Sequence, residues 1–367
     1  MGICREFAIH EPSPSLVLAP PPLCPDIRLV KWLHRHWKMG LFGCLLIAIP
    51  SPWLIVRWAG VEIATPPRRA LMDYHREYLL RPEKHGIRID PFTAKDGTPC
   101  LLVTPSVAIG GRGTRIRQQF IDRKMELPPF GEIRGSLVLT HGLKGRKEDY
   151  LSIAERFCAV GFRCVIPDLP AHGEHPVETI TYGVREAPLP AAMLMAASEK
   201  FGFPPQPAGI MGMSMGGSVA VHSASLPDAP WKALVVVASF DSLPAIIEDQ
   251  ASKLAGMALG PRLARSAGNW FRDRTGVPLT EIRPIQKAAT LRIPTLIAHG
   301  TEDTVAPLAA GRRLFEALPG STPKQWIEVP EAGHHNVFVT SYPIYQEIAA
   351  WMITHVQGGK KEVQSDP

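Results

Sequence analysis

A run of apolar residues, Ala208-Gly209-Ile210-Met211, ends at Gly212-Met213-Ser214-Met215-Gly216, and an Ala/Ser-rich stretch with helical character begins at once. Few features restrict a fold more. A strand that turns directly into a helix brings two backbones into contact, so small glycines must flank a strained turn. A buried strand backed by a helix also belongs to a layered architecture of sheet and helices. The pentapeptide alone recurs by chance in small-residue strings. In this setting it predicts that Ser214 stands on a tight elbow, its hydroxyl thrust out above the end of a sheet.

From about Ile87 the chain repeats that layout. Residues 87–92 and 100–104 flank Lys95-Asp96-Gly97 as an opening hairpin, and residues 136–140, 163–167, 234–238, 294–298 and 325–329 read as further strands. Helical patterns cover 150–160, 191–201 and 344–356. The alternation predicts an α/β fold, a mostly parallel central sheet flanked by helices over residues 87–357. Residues 241–290 are helical in character and too long for an ordinary connection, so they are expected to form a cap. Leu254, Met257, Leu259, Leu263, Trp270 and Phe271 in that stretch read as an apolar pocket wall, favouring apolar or aromatic acyl groups.

A serine hydroxyl is a weak nucleophile near neutral pH and needs a base that a third group orients. For an elbow of this kind the expected order is Ser, then Asp or Glu, then His. Asp303, in the loop after the strand that ends at Ala298-His299, is the preferred acid, with Asp241 after the preceding strand as the alternative. His334, directly after Gly333, is the preferred base and His335 its alternative; His355 falls in the terminal helix. Oxyanion donors are expected from the backbone N–H of Met215 and, in the loop His141-Gly142-Leu143, of Leu143. His141 itself reads as a loop brace.

On these strings, LVLTHGL (137–143), PDLPAHGEH (167–175), GIMGMSMGG (209–217), IPTLIAHGTEDTVAP (293–307) and EAGHHNV (331–337), the chain from about Ile87 to Val356 resembles the α/β-hydrolase superfamily. It looks most like the bacterial serine hydrolases that include esterases, dienelactone-hydrolase-like and serine aminopeptidase-like proteins. The resemblance implies an α/β-hydrolase fold and a Ser-Asp-His hydrolase of esters, thioesters or amides that needs no metal or organic cofactor. Peptidases, acyltransferases and non-catalytic binding members share the fold. His175 stands where the family's loop usually carries serine, and the resemblance does not reach residues 1–60.

Charge is uneven. Residues 1–130 hold 18 Lys/Arg against 11 Asp/Glu, whereas residues 131–367 hold 22 against 23. A nucleic-acid binder would carry its basic face on the folded domain, so no nucleic-acid partner is expected. Residues 39–56 are uncharged, follow Arg28, Lys31, Arg35 and Lys38, and have tryptophans on both sides. Three readings stay open: a membrane anchor, the core of a cleaved signal, or a helix packed on the domain. The first two make the protein membrane-associated or exported, the third cytoplasmic. Residues 1–60 thus read as a Pro-rich basic tail with an apolar segment, 61–86 as a connector helix, and 358–367 as a disordered tail. The six cysteines are scattered, with no Cys-x-x-Cys pair and no zinc-finger spacing, and do not decide the redox compartment. Asp168, His172 and His175 are set aside as metal ligands, Gly110-Gly111-Arg112-Gly113 reads as a flexible loop, and residues 114–125 read as a solvated helix.

Overall fold

In the computed structural model, residues 50–356 are described, and their order of elements follows the alternation in the sequence. A hairpin of β1 (Ile87–Thr93) and β2 (Pro99–Pro105) is followed by β3 (Gly135–Thr140), β4 (Phe162–Pro167), β5 (Ala208–Met213), β6 (Trp231–Val237), β7 (Thr295–Gly300) and β8 (Lys324–Val329). They form one sheet in the order β1-β2-β4-β3-β5-β6-β7-β8. β2 runs antiparallel to β1 and β4, and all later neighbours are parallel.

Both faces of the sheet are covered, which explains why the central strands are apolar throughout. Leu137 and Leu139 of β3 enter one core, with Phe157, Phe162 and Ile348, while Val138 enters the other, with Leu194, Val221 and Leu314. The period-two alternation sorts one strand's side chains between two cores. Each large side chain so buried contributes about 1.5–3 kcal/mol.

Chain order reverses beside β3, so the loops leaving the carboxyl ends of β3 and β5 lie next to each other. Thr140 pairs with Gly212. Ligands of open parallel sheets gather at such reversals.

The front half of the domain differs from expectation in three places. Compact folding starts well before Ile87: helix α1 (Pro50–Ala64) and helix α2 (Asp73–Leu80) precede the sheet, joined to it by a short 3-10 turn at Pro82–His85. The expected single connector over 61–86 is therefore three pieces. Ala64 is fully buried, its carbonyl accepts from Ile180 N–H at 3.0 Å, and Tyr182 Oη donates to Ile63 O at 2.9 Å. Second, Gly110-Gly111-Arg112-Gly113 is the start of helix α3 (Gly111–Asp122), where Arg112 N–H donates to Glu155 Oε1 at 3.1 Å. Third, that helix buries Ile116 and Phe120, so it is not a solvated one.

Residues 39–49 and 357–367, with Cys4, Cys24 and Cys44, lie outside the described residues. Among the described residues no helix is long and apolar enough to cross a membrane. Cys100, Cys158 and Cys164 are free and buried.

The long stretch after β6 is helix α7 (Leu243–Thr275), broken at Gly256, whose φ of 77° and ψ of 163° only glycine adopts readily. The second arm folds back on the first. A Cβ at Gly260 would stand 2.4 Å from Ser252 Cα, so the arms meet in a hairpin. Three of its expected wall residues face water instead: Leu254, Met257 and Leu259 are 71%, 81% and 55% exposed, while Phe271 is wholly buried in the layer beneath. Helical periodicity marked the segment as apolar on one side without saying which neighbours that side would meet.

Candidate active site

Ser214 joins β5 to helix α6 (Met215–Ala224) with φ 54° and ψ −120°. A non-glycine residue held at positive φ costs about 1–3 kcal/mol and persists only where its surroundings enforce it. Here they do. A Cβ at Gly212 would lie 2.1 Å from Gly216 O, and one at Gly216 would lie 2.1 Å from Thr140 O, so only glycine fits either position. Ser214 N–H donates to Val237 O at 2.9 Å, and its carbonyl accepts from Ser239 Oγ at 2.8 Å and Ser218 N–H at 3.1 Å. The side chain is left half-buried at the carboxyl end of the sheet.

Two loops from neighbouring strands reach that hydroxyl. His334, after β8, places Nε2 3.0 Å from Ser214 Oγ and Nδ1 2.7 Å from Asp303 Oδ2, in the loop after β7. A carboxylate only accepts, so Nδ1 carries the proton and Nε2 is left to accept from the serine. Asp303 Oδ1 accepts the N–H groups of Val305 and Ala306, both at 2.9 Å, which fixes the carboxylate plane. Burial pushes the Asp303 carboxyl up, but the bonds from His299, His334 and Ala306 N–H outweigh it and hold it well below the usual carboxylate range. His299, at the end of β7, was not singled out in the sequence. Its Nε2 lies 2.8 Å from Ala306 O and 3.4 Å from Asp303 Oδ2. A histidine inside an otherwise apolar strand was the available signal.

The loop after β3 passes beside the elbow: a Cβ at Gly142 would stand 3.5 Å from Ser214 Cβ. Gly142–Gly145 close as a turn, Gly145 N–H donating to Gly142 O at 3.0 Å, with Leu143 inside it. Met215 N–H is the first of α6, where the helix ladder offers it no acceptor. His141 accepts Leu169 N–H on Nε2 at 3.0 Å and donates from Nδ1 to Gly142 O at 2.9 Å, bracing the turn as expected of it. Beyond the turn, Lys147 donates to Asp168 from its N–H at 2.8 Å and from Nζ at 2.7 Å. Asp168 also accepts Glu174 N–H at 2.9 Å. This buried aspartate ties the loops after β3 and β4 together. The sequence offered it only as a metal ligand beside His172 and His175, a reading set aside there.

The alternatives stand apart from the chain of bonds. Asp241 Oδ2 accepts from Arg313 Nε at 2.7 Å, on helix α9 (Leu308–Glu316). His335 is exposed, its ring edge-on to His334 at 5.2 Å. His172 Nδ1 donates to Pro170 O, and His175 accepts Val177 N–H while meeting Thr98 Oγ1 at 3.2 Å. No cluster fit for a metal occurs among the described residues. A groove of about 910 Å³ near β1, lined by Phe92, Lys95, Met193 and Glu199, shares no residue with this site and offers it no chemistry.

Known proteins resemble the chain along most of this domain. Monoacylglycerol lipase of Mycolicibacterium smegmatis is 22% identical over 257 residues, covering 62% of this chain and 91% of that protein. Among solved structures, an esterase of Pyrococcus furiosus superposes with a TM-score of 0.57 at 14% identity, over 80% of this chain and 98% of the esterase. The acylaminoacyl peptidase of Pyrococcus horikoshii gives 0.54 at 13% identity, over 80% of this chain and 45% of the peptidase. Identities this low speak for the fold. The model of the alpha/beta hydrolase family matches residues 137–344, more than half of the sequence, and the chain therefore belongs to that family.

Proposed function

We propose that the protein is a serine hydrolase that cleaves carboxylic esters through an acyl-enzyme, with Ser214 as nucleophile, His334 as base and Asp303 as the acid that orients it. The observation carrying this reading is the unbroken series Ser214 Oγ, His334 Nε2, His334 Nδ1, Asp303 Oδ2, with contacts of 3.0 and 2.7 Å. Ser214 Oγ attacks the carbonyl carbon while its proton passes to His334 Nε2. The carbonyl π electrons move onto oxygen, where the N–H groups of Met215 and Leu143 receive the charge; each such donor is worth roughly 3–4 kcal/mol. As the intermediate collapses, His334 returns the proton to the leaving alkoxide. Water then attacks the acyl-enzyme, His334 takes its proton, and the acid leaves as Ser214 is restored.

Thioesters and amides fit the same sequence of steps. Likeness to monoacylglycerol lipase over 91% of that protein favours an ester. Met215, next to the nucleophile, packs in a buried layer with Tyr182, Phe240, Leu243 and Phe271, and these apolar surroundings support an apolar or aromatic acyl group.

A graded series of p-nitrophenyl esters, run beside aminoacyl-naphthylamides, tests the substrate class. Ester turnover should exceed amide turnover and rise with acyl length. Ser214→Ala should lower kcat by about 10⁶ with the fold intact. Retention of several per cent of activity would place the nucleophile elsewhere.

A further inference from the structure

The turn of the α7 hairpin is unusual in what it exposes. Leu254, Met257 and Leu259 fall within six residues and are each more than half exposed. Single exposed apolar residues are ordinary on a soluble domain, whereas three gathered at one protruding turn call for a partner. Their surroundings are one-sided in charge. Lys253 is paired with Asp249 at 2.7 Å and Arg272 with Asp273 at 3.6 Å, whereas Arg262 and Arg265, exposed one helical turn beyond the tip, form no ion pair among the described residues. The first arm is joined to the acid loop of the site: Gln250 Nε2 donates to Thr304 O at 2.9 Å and Lys253 Nζ to the same oxygen at 3.2 Å.

From this juxtaposition we infer that the hairpin turn is a docking surface for an anionic lipid bilayer, with Leu254, Met257 and Leu259 entering the acyl boundary and Arg262 and Arg265 meeting the headgroups. Apolar prongs flanked by cations match an interface whose outer layer is negative and whose interior is hydrocarbon. Within residues 254–265 the only charged side chains are these two arginines, and an anionic bilayer satisfies apolar prongs and cations together. The inference goes beyond the hydrolase reading, because it concerns where the protein sits and not what it cleaves.

Sedimentation with vesicles tests it, using full-length protein carrying Ser214→Ala so that hydrolysis does not alter the lipid. Binding should be stronger to phosphatidylcholine vesicles containing one quarter phosphatidylglycerol than to pure phosphatidylcholine. It should weaken several-fold on raising salt to about 0.5 M, as charged headgroup contacts are screened. Replacing the three prongs together (Leu254→Ser, Met257→Ser, Leu259→Ser) should cut partitioning at least about tenfold. Arg262→Gln with Arg265→Gln should remove the preference for phosphatidylglycerol while the prongs still bind. Thermal melting of both variants should match the parent, since all five side chains lie on the surface; if the triple variant melts early, the arginine pair alone decides. Equal binding by parent and variants would mean attachment through another segment and would overturn the proposal. So would a parent that ignores vesicles, or one that is dimeric by light scattering and becomes monomeric when the prongs are removed.

Discussion

Asp241 and Asp303 follow neighbouring parallel strands, and each is 6% exposed. By residue type, position and burial they are equals, yet they are engaged in opposite ways. Asp303 is held from behind by two backbone N–H groups of its own loop, so its other oxygen is free to face His334. Asp241 faces Arg313, whose guanidinium takes one oxygen, and its Oδ1 has no hydrogen-bond partner among the described residues. Burial alone therefore does not make a carboxylate into an orienting acid. The loop that fixes its plane and the base across from it do.

Substitutions can break that contrast, and the histidines give the largest effect. His334→Ala should cost kcat on the order of 10⁶, near the Ser214→Ala level, because nucleophile and base act as one unit. His335→Ala should leave kcat nearly unchanged, since its exposed ring meets no reacting group. Equal mild losses from both would remove the case for His334. Next in size, Asp303→Asn should lower kcat by roughly 10⁴ by favouring the wrong tautomer of His334. Asp241→Asn should spare kcat and shift stability by less than about 1 kcal/mol, since its partner Arg313 is half exposed. Steady-state kinetics and urea melts of the pair decide the matter, and the reverse pattern would move the acid to the end of β6.

What the sequence made legible follows the range over which each feature is determined. The elbow is a local object. Apolar strand, glycines and helix adjoin in the chain, so residues 208–217 foretold both the turn and a hydroxyl at the carboxyl end of the sheet. The sheet was equally readable, because strands buried on both faces must be apolar from end to end. Asp303 and Asp241 were separated only by preference, since Arg313 arrives from a helix more than seventy residues after Asp241. The helical character of the stretch expected to form a cap was legible, but the placing of Leu254, Met257 and Leu259 in water depends on the break at Gly256. Helix α1 was hidden for a different reason. Its apolar residues read as a continuation of the segment 39–56, whereas Gly60 packs so closely on Trp270 that a Cβ there would lie 2.9 Å from the ring.

Acidification sharpens the comparison at its smallest scale, by setting the aspartates against the buried histidines of the loops beside them. Asp303 is held below its ordinary range, so the stability it lends is complete above the unfolded carboxyl value near 3.8 and is lost only below that. His172 behaves otherwise. Burial, and then the neighbouring His141, push its pKa down to about 3 from the ordinary 6.5. His141, with its ring 5.1 Å away, is likewise lowered, chiefly by burial. Below pH 6.5 the unfolded chain takes up protons that these folded rings refuse, so stability must fall as pH falls below 6.5, for His172 on down toward 3, by up to about 1.4 kcal/mol per pH unit for each ring that stays neutral. Urea midpoints measured from pH 7.5 to 4.5 should therefore be flat at the top and decline below about 6.5. His172→Asn should flatten that decline by at most one proton's worth, whereas Asp303→Asn should leave the slope in this window as it was. A decline unaltered by His172→Asn would mean that this ring does not resist protonation, and one abolished by Asp303→Asn would return the acid sensitivity to the carboxylates.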